Sequence, residues 1–176
     1  MIPGSLFTIP MWSLPTLNFN KKKKQLEKLC KSFPEKKHGL QTFYTNRQSP
    51  RPGFMEAFGN ICGEELKMLS KKIQRDLQIE DIWSVSYKKG DYHTPHNHGA
   101  MGLTGILYLT MPKGAPVTQY LQPWNDWQTD RTIYYPLPVV EGMIVVVPKF
   151  VRHFTEPNTL TKVKRIISWD MNLINA

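Results

Sequence analysis

Short β-rich segments, each bounded by turn residues, fill the second half of this 176-residue chain. The clearest of them lie at residues 82–87, 103–110, 143–147 and 163–172, and weaker ones at 117–121 and 132–135. Gly, Pro, Asn and Asp separate the segments, which is typical of an antiparallel sandwich or barrel. The pattern therefore predicts a mainly β fold.

The first 80 residues have a different period. Residues 7–17 are apolar and are interrupted by two prolines, which favours an edge strand. A short helix is predicted over residues 20–33. A longer helix is predicted over residues 54–77, because apolar side chains recur there every three to five positions and form one stripe. We expect these helices to support the β core.

The length of the chain suits one domain. We expect a single domain over residues 1–176, with the N-terminal strand and supporting helices in 1–80 and the β core in 81–176. No run of about 18 apolar residues is present, so no membrane span is predicted. The start of the chain lacks the features of a secretory signal, and two cysteines make no disulfide framework, so a cytoplasmic location is expected.

The net charge of +9 is concentrated near the N-terminus. Residues 1–50 hold nine Lys and Arg against two Asp and Glu, a balance of +7, and Lys21–Lys24 is the densest run. Such a run can contact nucleic acid, but no aromatic residues interleave with these lysines as stacking platforms would. A solvated helix face is the preferred interpretation, and nucleic acid is not the favoured partner.

Three of the five histidines crowd into residues 93–98. His96 and His98 are two positions apart, so on an extended segment both side chains project from one face. Neutral imidazoles so placed suit iron, zinc, copper or nickel. A third ligand must come from elsewhere, and His153, which follows the strand predicted at 143–147, is the obvious candidate. The sequence therefore predicts a metal site.

Two stretches of the chain resemble known enzymes. The segments 87–98 (YKKGDYHTPHNH) and 103–109 (LTGILYL) resemble the Fe(II)/2-oxoglutarate oxygenases of prolyl-hydroxylase type. Residues 142–169 are similar to the second half of that family's motif, a Gly, an apolar strand, Pro, a distal His and then Arg. Residues 6–12 look like the start of small oxygenases of phages and marine bacteria. The resemblance implies a double-stranded β-helix, the jelly-roll fold shared with cupins.

The resemblance assigns two iron ligands and leaves the third open. His96 and His153 would be the family's two histidine ligands. Position 98, where the family usually has Asp or Glu, is His in this chain. Either His98 completes a three-histidine face, or a carboxylate such as Asp91 substitutes. The trio of His96, His98 and His153 is favoured.

The resemblance also implies a clamp for 2-oxoglutarate. Arg165 would pair with the distal carboxylate of the cosubstrate, because a guanidinium fork matches a carboxylate. Strand alternation puts Arg165 on one face with apolar neighbours, where a charged group needs a partner anion. Tyr108 could donate its hydroxyl to the same carboxylate or could equally be a core aromatic.

Four further residues are candidate neighbours of the metal ligands or of the substrate: His93, Trp124, Trp127 and Trp169. His93 comes just before the His96–His98 pair. The two tryptophans at 124 and 127 lie between strand candidates, so they could form a lid over the substrate or, as preferred, simply cover the mouth of the barrel.

The working hypothesis is a non-haem Fe(II), 2-oxoglutarate-dependent hydroxylase that uses O2. Its substrate would be a small molecule or a peptide, and fold alone does not choose between them. The enzyme would act in the cytoplasm, that of a bacterial host if a phage encodes it.

The same residues also fit the two cupin motifs. Gly90 and Gly142 precede the histidines at the cupin spacings, although no Glu occurs in 99–104, where cupins have one. A three-histidine cupin-type dioxygenase or isomerase would need no 2-oxoglutarate. A non-catalytic metal-binding jelly roll and a nucleic-acid-associated module are rival hypotheses from two further classes of protein.

Overall fold

The computed structural model describes residues 8–38, 43–47 and 52–174. Within these residues the chain forms two helices and eleven strands. In chain order they are β1 (Trp12–Pro15), α1 (Phe19–Ser32), β2 (Lys36–Lys37), β3 (Tyr44–Thr45), α2 (Pro52–Ile73), β4 (Asp76–Tyr87), β5 (His93–His96), β6 (Leu103–Thr110), β7 (Thr118–Leu121), β8 (Tyr134–Pro136), β9 (Met143–Pro148), β10 (His153–Thr155) and β11 (Lys164–Ile174).

The strands form two antiparallel sheets that pack face to face. The large sheet has the order β1-β9-β6-β11-β4-β3-β2, and the small sheet has the order β5-β10-β7-β8. One apolar core lies between the sheets and includes Ile106 and Val145 of the large sheet and Tyr120 of the small one. A second core lies between the large sheet and the helices. This arrangement confirms the mainly β, jelly-roll fold with helices from the N-terminal part.

Strand β6 shows why this chain needs an almost continuous apolar segment. It lies between β9 and β11, and seven of its eight residues are buried. Helices cover one face of the strand and the small sheet covers the other, so alternation of polar and apolar residues disappears. Gly105 makes room for a tryptophan, because a Cβ at this position would lie 2.3 Å from Cε2 of Trp169. The close approach fixes how β6 and β11 pack.

The two helices bury one apolar stripe each against the large sheet. Helix α1 agrees with the helix predicted over 20–33, and its buried residues include Leu26. Helix α2 buries Phe58, whose ring centre lies 5.0 Å from that of Trp169. The prediction that α2 continues to residue 77 was wrong. Gln74 takes a left-handed conformation (φ 59°), and Leu77 pairs with β11 as part of β4.

The N-terminal apolar stretch forms an edge strand, as its prolines predicted. Among the described strands, β1 pairs with β9 alone, so its other edge needs no backbone donors. Residue 7 of the predicted stretch, like residues 1–6, lies outside the described residues. In the described part of the chain, no helix has the length and apolar character that crossing a membrane requires.

The lysine run on α1 divides into two kinds of residue. Lys22 and Lys23 anchor the helix, because their Nζ atoms lie 2.8 Å from Glu65 and 2.6 Å from Glu141. Lys21 and Lys24 are exposed, and so is Lys28 one turn further. Part of the run is therefore structural, and the rest forms the solvated face that the sequence predicted.

Candidate active site

The small sheet brings the three predicted ligands together. His96 ends β5 and His153 begins β10, and the two residues are direct partners in the antiparallel register. His98 follows two residues later, with its Nε2 atom 3.3 Å from Nε2 of His96. One ligand atom from each of the three histidines lies within 4.8 Å of the others. Imidazole nitrogens at such distances can bind one metal ion.

Hydrogen bonds on the far side of two of these rings fix their orientation. Nδ1 of His96 donates to the carbonyl oxygen of Thr94 at 2.8 Å, and Nδ1 of His153 donates to that of Val151 at 3.1 Å. A carbonyl oxygen only accepts, so the proton of each neutral ring must be on Nδ1. The lone pair of each Nε2 is therefore available to a metal.

The third ring is oriented by a carboxylate. Nδ1 of His98 lies 2.7 Å from Oδ1 of Asp170, and both side chains are buried. Asp91, the carboxylate considered as a substitute ligand, lies apart from this group, because its Oδ2 accepts the backbone N–H of Lys88 at 2.8 Å in a turn. Among the described residues, the candidate metal group contains three histidines and no carboxylate.

The electrostatics of the cluster favour neutral rings. Burial, together with the neighbouring histidines, lowers the pKa of His153 to about 3. Burial, with His98 close by, also lowers the pKa of His96 to about 4. A metal ion binds the neutral form of imidazole, so these two ligands need lose no proton at neutral pH.

His93 packs beside the three clustered histidines but does not belong to the candidate metal group. Its ring centre lies 3.8 Å from that of His96 and 4.2 Å from that of Phe43. Burial, and then the charge of His96, lowers its pKa to about 2. The structure thus places His93 next to the three clustered histidines, where its ring stacks between those of His96 and Phe43.

Strand β11 presents alternate residues to the two faces of the large sheet. Ile166 and Ser168 line the cavity that contains the three histidines. Ile167 and Trp169 belong to the core beneath the helices. Because side chains alternate along a strand, the even-numbered residues from 164 to 170 face the histidines and the odd-numbered ones face the helices.

Arg165 and Trp169 therefore lie on the opposite face from the histidines, which differs from the expectation for both. Nε of Arg165 donates to Oγ of Ser86 at 2.9 Å and lies 3.8 Å from Oε1 of Glu35. Trp169 is fully buried against Phe58. The predicted alternation placed these two residues on one face together, but that face packs on the helices.

Lys164, the neighbour of Arg165, occupies the inner face. Its side chain is fully buried, and its Nζ atom donates to the carbonyl oxygen of Pro116 at 2.8 Å. The same atom lies 4.8 Å from the ring centre of Tyr87 and 5.9 Å from that of Tyr108. Burial lowers its pKa to about 7, and among the described residues no carboxylate forms an ion pair with it.

Three buried hydroxyls accompany this lysine. The side-chain oxygens of Tyr108, Thr118 and Tyr120 have no hydrogen-bond partner among the described residues. The hydroxyls of Thr118 and Tyr120 lie close enough to that of Tyr108 to lower its pKa. Burial has the larger effect and raises this pKa to about 12. The ring of Tyr120 is 5.8 Å from that of His153. Polar groups in need of a partner thus extend from the histidines towards Lys164.

The predicted tryptophans at the mouth lie in the loop between β7 and β8. Trp124 lines an apolar pocket there and is about half exposed, while Trp127 is 87% exposed. The structure therefore places one ring in a pocket wall and the other in solvent.

Sequence reasoning missed three residues of this site, namely Lys164, Asp170 and Tyr120. One signal could have found the first two. Lys164 and Asp170 share a face of β11 with Ile166 and Ser168, and a lysine or an aspartate on a buried strand face needs a partner. Which face of β11 meets the histidines could not be read from the strand itself.

Comparison with protein families gives one match. The family model described as "Putative 2OG-Fe(II) oxygenase" matches residues 81–170. That range begins within β4, ends within β11 and includes all three clustered histidines. A search of curated protein sequences finds no relative of this chain.

Solved structures share the fold at low sequence identity. An oxidoreductase of the 2OG-Fe(II) oxygenase family from Burkholderia pseudomallei has a TM-score of 0.69 at 12% identity, covering 92% of this chain and 84% of its own. The viral collagen prolyl hydroxylase from Paramecium Bursaria Chlorella virus-1, solved with 2OG, has a TM-score of 0.63 at 15% identity, covering 94% and 96%. HygX from Streptomyces hygroscopicus, solved with nickel and 2-oxoglutarate, has a TM-score of 0.70 at 8% identity, covering 94% and 83%.

Proposed function

We propose, from the premise that the chain belongs to the 2OG-Fe(II) oxygenase family, that His96, His98 and His153 hold its iron and that Lys164 binds its cosubstrate. The enzyme is a non-haem Fe(II), 2-oxoglutarate-dependent oxygenase that acts with O2. O2 is the oxidant of this reaction: bound Fe(II) would activate it, and 2-oxoglutarate would supply two electrons as it is converted to succinate and CO2. The side chains of this chain bind, orient and exclude water.

The donor set of the three histidines fits Fe(II). Imidazole nitrogens suit this ion, and the Nδ1 atoms of His96 and His153 are already engaged by backbone carbonyls. Each Nε2 can therefore meet a metal without a change of tautomer. Three protein ligands leave the remaining positions of an octahedral ion for other molecules, as catalysis at a metal requires.

The inner face of β11 fits the distal carboxylate of 2-oxoglutarate. A buried ammonium with no counter-charge is costly, and so are the buried hydroxyls of Tyr108, Thr118 and Tyr120 that lack partners. One carboxylate would pair with the Lys164 charge and accept hydrogen bonds from the hydroxyls. This unpaired cation beside unpaired donors is the observation that carries the proposal.

The role expected of Arg165 thereby passes to Lys164. Arg165 already has oxygen partners on Ser86 and Glu35 across the helix-facing side of the sheet. Lys164 has a single backbone carbonyl partner. An anion entering between the two sheets would meet the lysine, because of these two cations only Lys164 shares the face with the histidines.

The walls of the site keep water away from the reacting groups. Val85, Ile106 and Ile166 line the histidine cavity and are each at most 4% exposed. A dry apolar wall strengthens every electrostatic contact inside and confines bound molecules to defined positions. Together with the ring of His93, these side chains would hold the cosubstrate in one orientation.

An anaerobic titration tests the assignment. With Fe(II) bound, addition of 2-oxoglutarate should produce a visible charge-transfer band, and admission of O2 should yield succinate. Lys164→Met should remove the band while the protein still binds Ni(II). Arg165→Gln is the matched control and should retain the band. Loss of the band in Arg165→Gln with its retention in Lys164→Met would overturn the clamp assignment.

The proposal extends to the domain organisation, the location and the substrate of the protein. We propose one domain over 1–176, with 1–80 supporting a catalytic core in 81–176, since both helices pack on the large sheet of that core. A cytoplasmic location is supported by the free and buried thiols of Cys30 and Cys62. The substrate is a small molecule or a peptide.

A further inference from the structure

An apolar pocket opens beside the cluster of three histidines, between the segment before β1 and the β7–β8 hairpin. Its volume is about 340 Å³, at the lower end of the range for small-molecule sites. Met11 and Trp124 lie at its rim, and Leu137, Val151 and Tyr120 are among its walls.

Two wall residues of the pocket also support a metal ligand. Tyr120 packs its ring 5.8 Å from that of His153. Val151 accepts the Nδ1 hydrogen bond of His153 at 3.1 Å through its carbonyl oxygen. The pocket therefore lies on the Nδ1 side of His153, behind the ring, and it shares no described lining residue with the cavity that contains the three histidines.

The lining of the pocket is uncharged. Among its described lining residues there is no Asp, Glu, Lys, Arg or His, and the one amide, Gln122, already accepts the hydroxyl of Tyr135 at 2.9 Å. A charged group entering the pocket would lose water without gaining a partner. In contrast, Trp124 and Tyr135 are about half exposed, and an apolar group would cover these rings.

We propose that this pocket binds an uncharged aromatic or aliphatic group of the oxygenase's substrate, a small molecule, and anchors the substrate behind His153. The proposal rests on the proposed function of the histidine cluster. The volume of the pocket suits a group of one or two rings. A free amino acid or a phosphorylated compound could extend outside the pocket but would not place its charged group within it.

Indole, which is uncharged and aromatic, serves as the probe. NMR saturation transfer should detect indole on the protein, and Mn(II) at the histidines should broaden the indole signals. Leu137→Lys, which adds a charge to the wall, should weaken indole binding at least tenfold. Val140→Lys is the control, because that residue is exposed on the same segment and outside the pocket.

Gln122→Glu is a second charged variant at a partly exposed position, in case Leu137→Lys does not fold. Unchanged indole affinity in the folded charged variants would overturn the proposal. The charge-transfer band is measured without indole, so its absence would refute the iron site alone. A normal band with no indole binding would refute the pocket alone.

A second inference rests on a different observation, the carboxylate behind His98. The 2.7 Å contact between Nδ1 of His98 and Oδ1 of Asp170 joins two side chains that are 3% and 7% exposed. Oγ1 of Thr104 approaches the same Nδ1 at 3.5 Å. A buried carboxylate against a ligating imidazole increases the electron density that the other nitrogen offers to a metal.

The surroundings of Asp170 hold this contact in place. Arg47 lies with Nη2 3.7 Å from Oδ2 of Asp170 and with Nε 3.0 Å from Asp81. The guanidinium lies 4.0 Å from the ring centre of Trp83, whose ring stacks at 5.5 Å on that of His98. The imidazole of His98 is therefore fixed by a carboxylate at its edge and an indole on its face.

We infer that Asp170 is a positioning residue of the metal centre, supplying through His98 the negative charge that a carboxylate at position 98 would supply directly. The inference rests on the proposed iron site. Asp170 is argued to act through His98, so its effect is on how strongly His98 binds the ion and on the electron density that the ion receives.

Cobalt binding distinguishes this role from a structural one. Asp170→Asn keeps the size and an accepting oxygen but removes the charge, and it should weaken Co(II) binding about 10–100-fold and shift the visible Co(II) spectrum. Asp81→Asn is the matched control. Asp81 is the register partner of Asp170 on β4 and pairs with the same arginine, but has no contact with His98 among the described residues. It should change Co(II) affinity less than threefold.

Equal effects of the two substitutions, or a Co(II) spectrum unchanged in folded Asp170→Asn, would overturn the inference. Asp170→Glu should restore part of the affinity, because it returns the charge. If the wild-type protein binds no Co(II), the iron site itself fails, whereas normal binding by Asp170→Asn would refute the positioning role alone.

Discussion

Lys164 and Arg165 are adjacent in the chain, yet they lie on opposite faces of one strand and in opposite surroundings. Arg165 has oxygen atoms of Ser86 and Glu35 around it and is partly exposed. Lys164 is fully buried with one backbone carbonyl for a partner. The helix-facing side is satisfied by the protein itself, while the side between the sheets is not. The proposed cosubstrate site lies on the face whose polar groups still need a partner.

The same contrast holds for neutral groups. The core beneath the helices is closed by apolar contacts such as that of Trp169 with Phe58. The core between the sheets contains hydroxyls of Tyr108 and Tyr120 that have no partner among the described residues. Such groups cost about 1–3 kcal/mol each when buried unpaired. In the proposed function the carboxylate of 2-oxoglutarate would pair with these hydroxyls.

The largest expected effect comes from exchanging the inner cation. Lys164→Met should weaken 2-oxoglutarate binding about 30-fold or more, the loss expected when one partner of a buried charge pair is removed. It should also raise the melting temperature of the cosubstrate-free protein, because methionine carries no charge into the core. Calorimetric titration and thermal denaturation measure the two effects. Arg165→Gln should change 2-oxoglutarate affinity less than threefold, and the reverse ranking would contradict the assignment of the two faces.

The pH dependence of cosubstrate binding is the next test. The pKa of Lys164 is about 7 in the free protein and 10.5 in the ordinary side chain. Binding requires the ammonium form, so 2-oxoglutarate affinity should be constant below pH 7. Above pH 7 it should fall about tenfold per pH unit, since a proton must be taken up on binding. Lys164→Arg should remove this dependence, because a guanidinium stays charged.

The stability of the cosubstrate-free protein should follow the opposite trend. Burial depresses the folded-state pKa of Lys164, so between pH 7 and 10.5 the unfolded chain holds one more proton than the folded one. The free energy of unfolding should therefore rise with pH across this window relative to Lys164→Met. Denaturant titrations at pH 7 and 9 compare the two proteins. Parallel pH profiles would show that the lysine is not buried as described.

Removing one inner hydroxyl should have a smaller effect. Tyr120→Phe should weaken 2-oxoglutarate binding about 3–10-fold, the value of one hydrogen bond. It should change the stability of the cosubstrate-free protein by less than about 1 kcal/mol, because among the described residues only the hydroxyl of Tyr108 lies close to that of Tyr120. Thermal denaturation with and without 2-oxoglutarate separates these outcomes. A clear loss of stability without the cosubstrate would show that the hydroxyl is already satisfied.

The smallest functional effect is expected on the outer face. Ser86→Ala removes the hydroxyl that accepts from Arg165 and donates to Glu35. The cost should be about 1 kcal/mol of stability with no measurable change in 2-oxoglutarate affinity. Denaturant unfolding and calorimetry measure the two quantities. A weaker affinity for 2-oxoglutarate would show that the two faces are coupled.

Local patterns predicted much of the fold. The strand at 103–110 and the helix over 20–33 carried clear periodicity, and both were found within one residue. The error at residue 77 arose because apolar spacing continued past the backbone turn at Gln74. A turn that depends on one left-handed residue leaves little trace in hydrophobic period.

The site was only partly predictable for a geometric reason. His96 and His98 are close in sequence, and His153 came from a recognised order of motifs, so their convergence could be expected. The choice between Lys164 and Arg165 depended on which face of β11 meets the small sheet. Pairing with β4 and β6 sets that face, and those contacts are distant in sequence.

Strand β11 also fixes the distance between two residues of the proposed site. It carries Lys164 at one end and Asp170, behind the proposed metal ligand His98, six residues further along. An antiparallel strand advances about 3.4 Å per residue, so the backbones of these two residues are about 20 Å apart on a rigid support, and their side chains reach into the space between. The close packing of Trp169 on Gly105 fixes the position of β11 relative to β6. With Lys164 as the proposed clamp and the three histidines as the proposed iron site, this fixed spacing selects one length of dicarboxylate, so homologues one carbon shorter or longer, such as oxaloacetate and 2-oxoadipate, should be poor replacements.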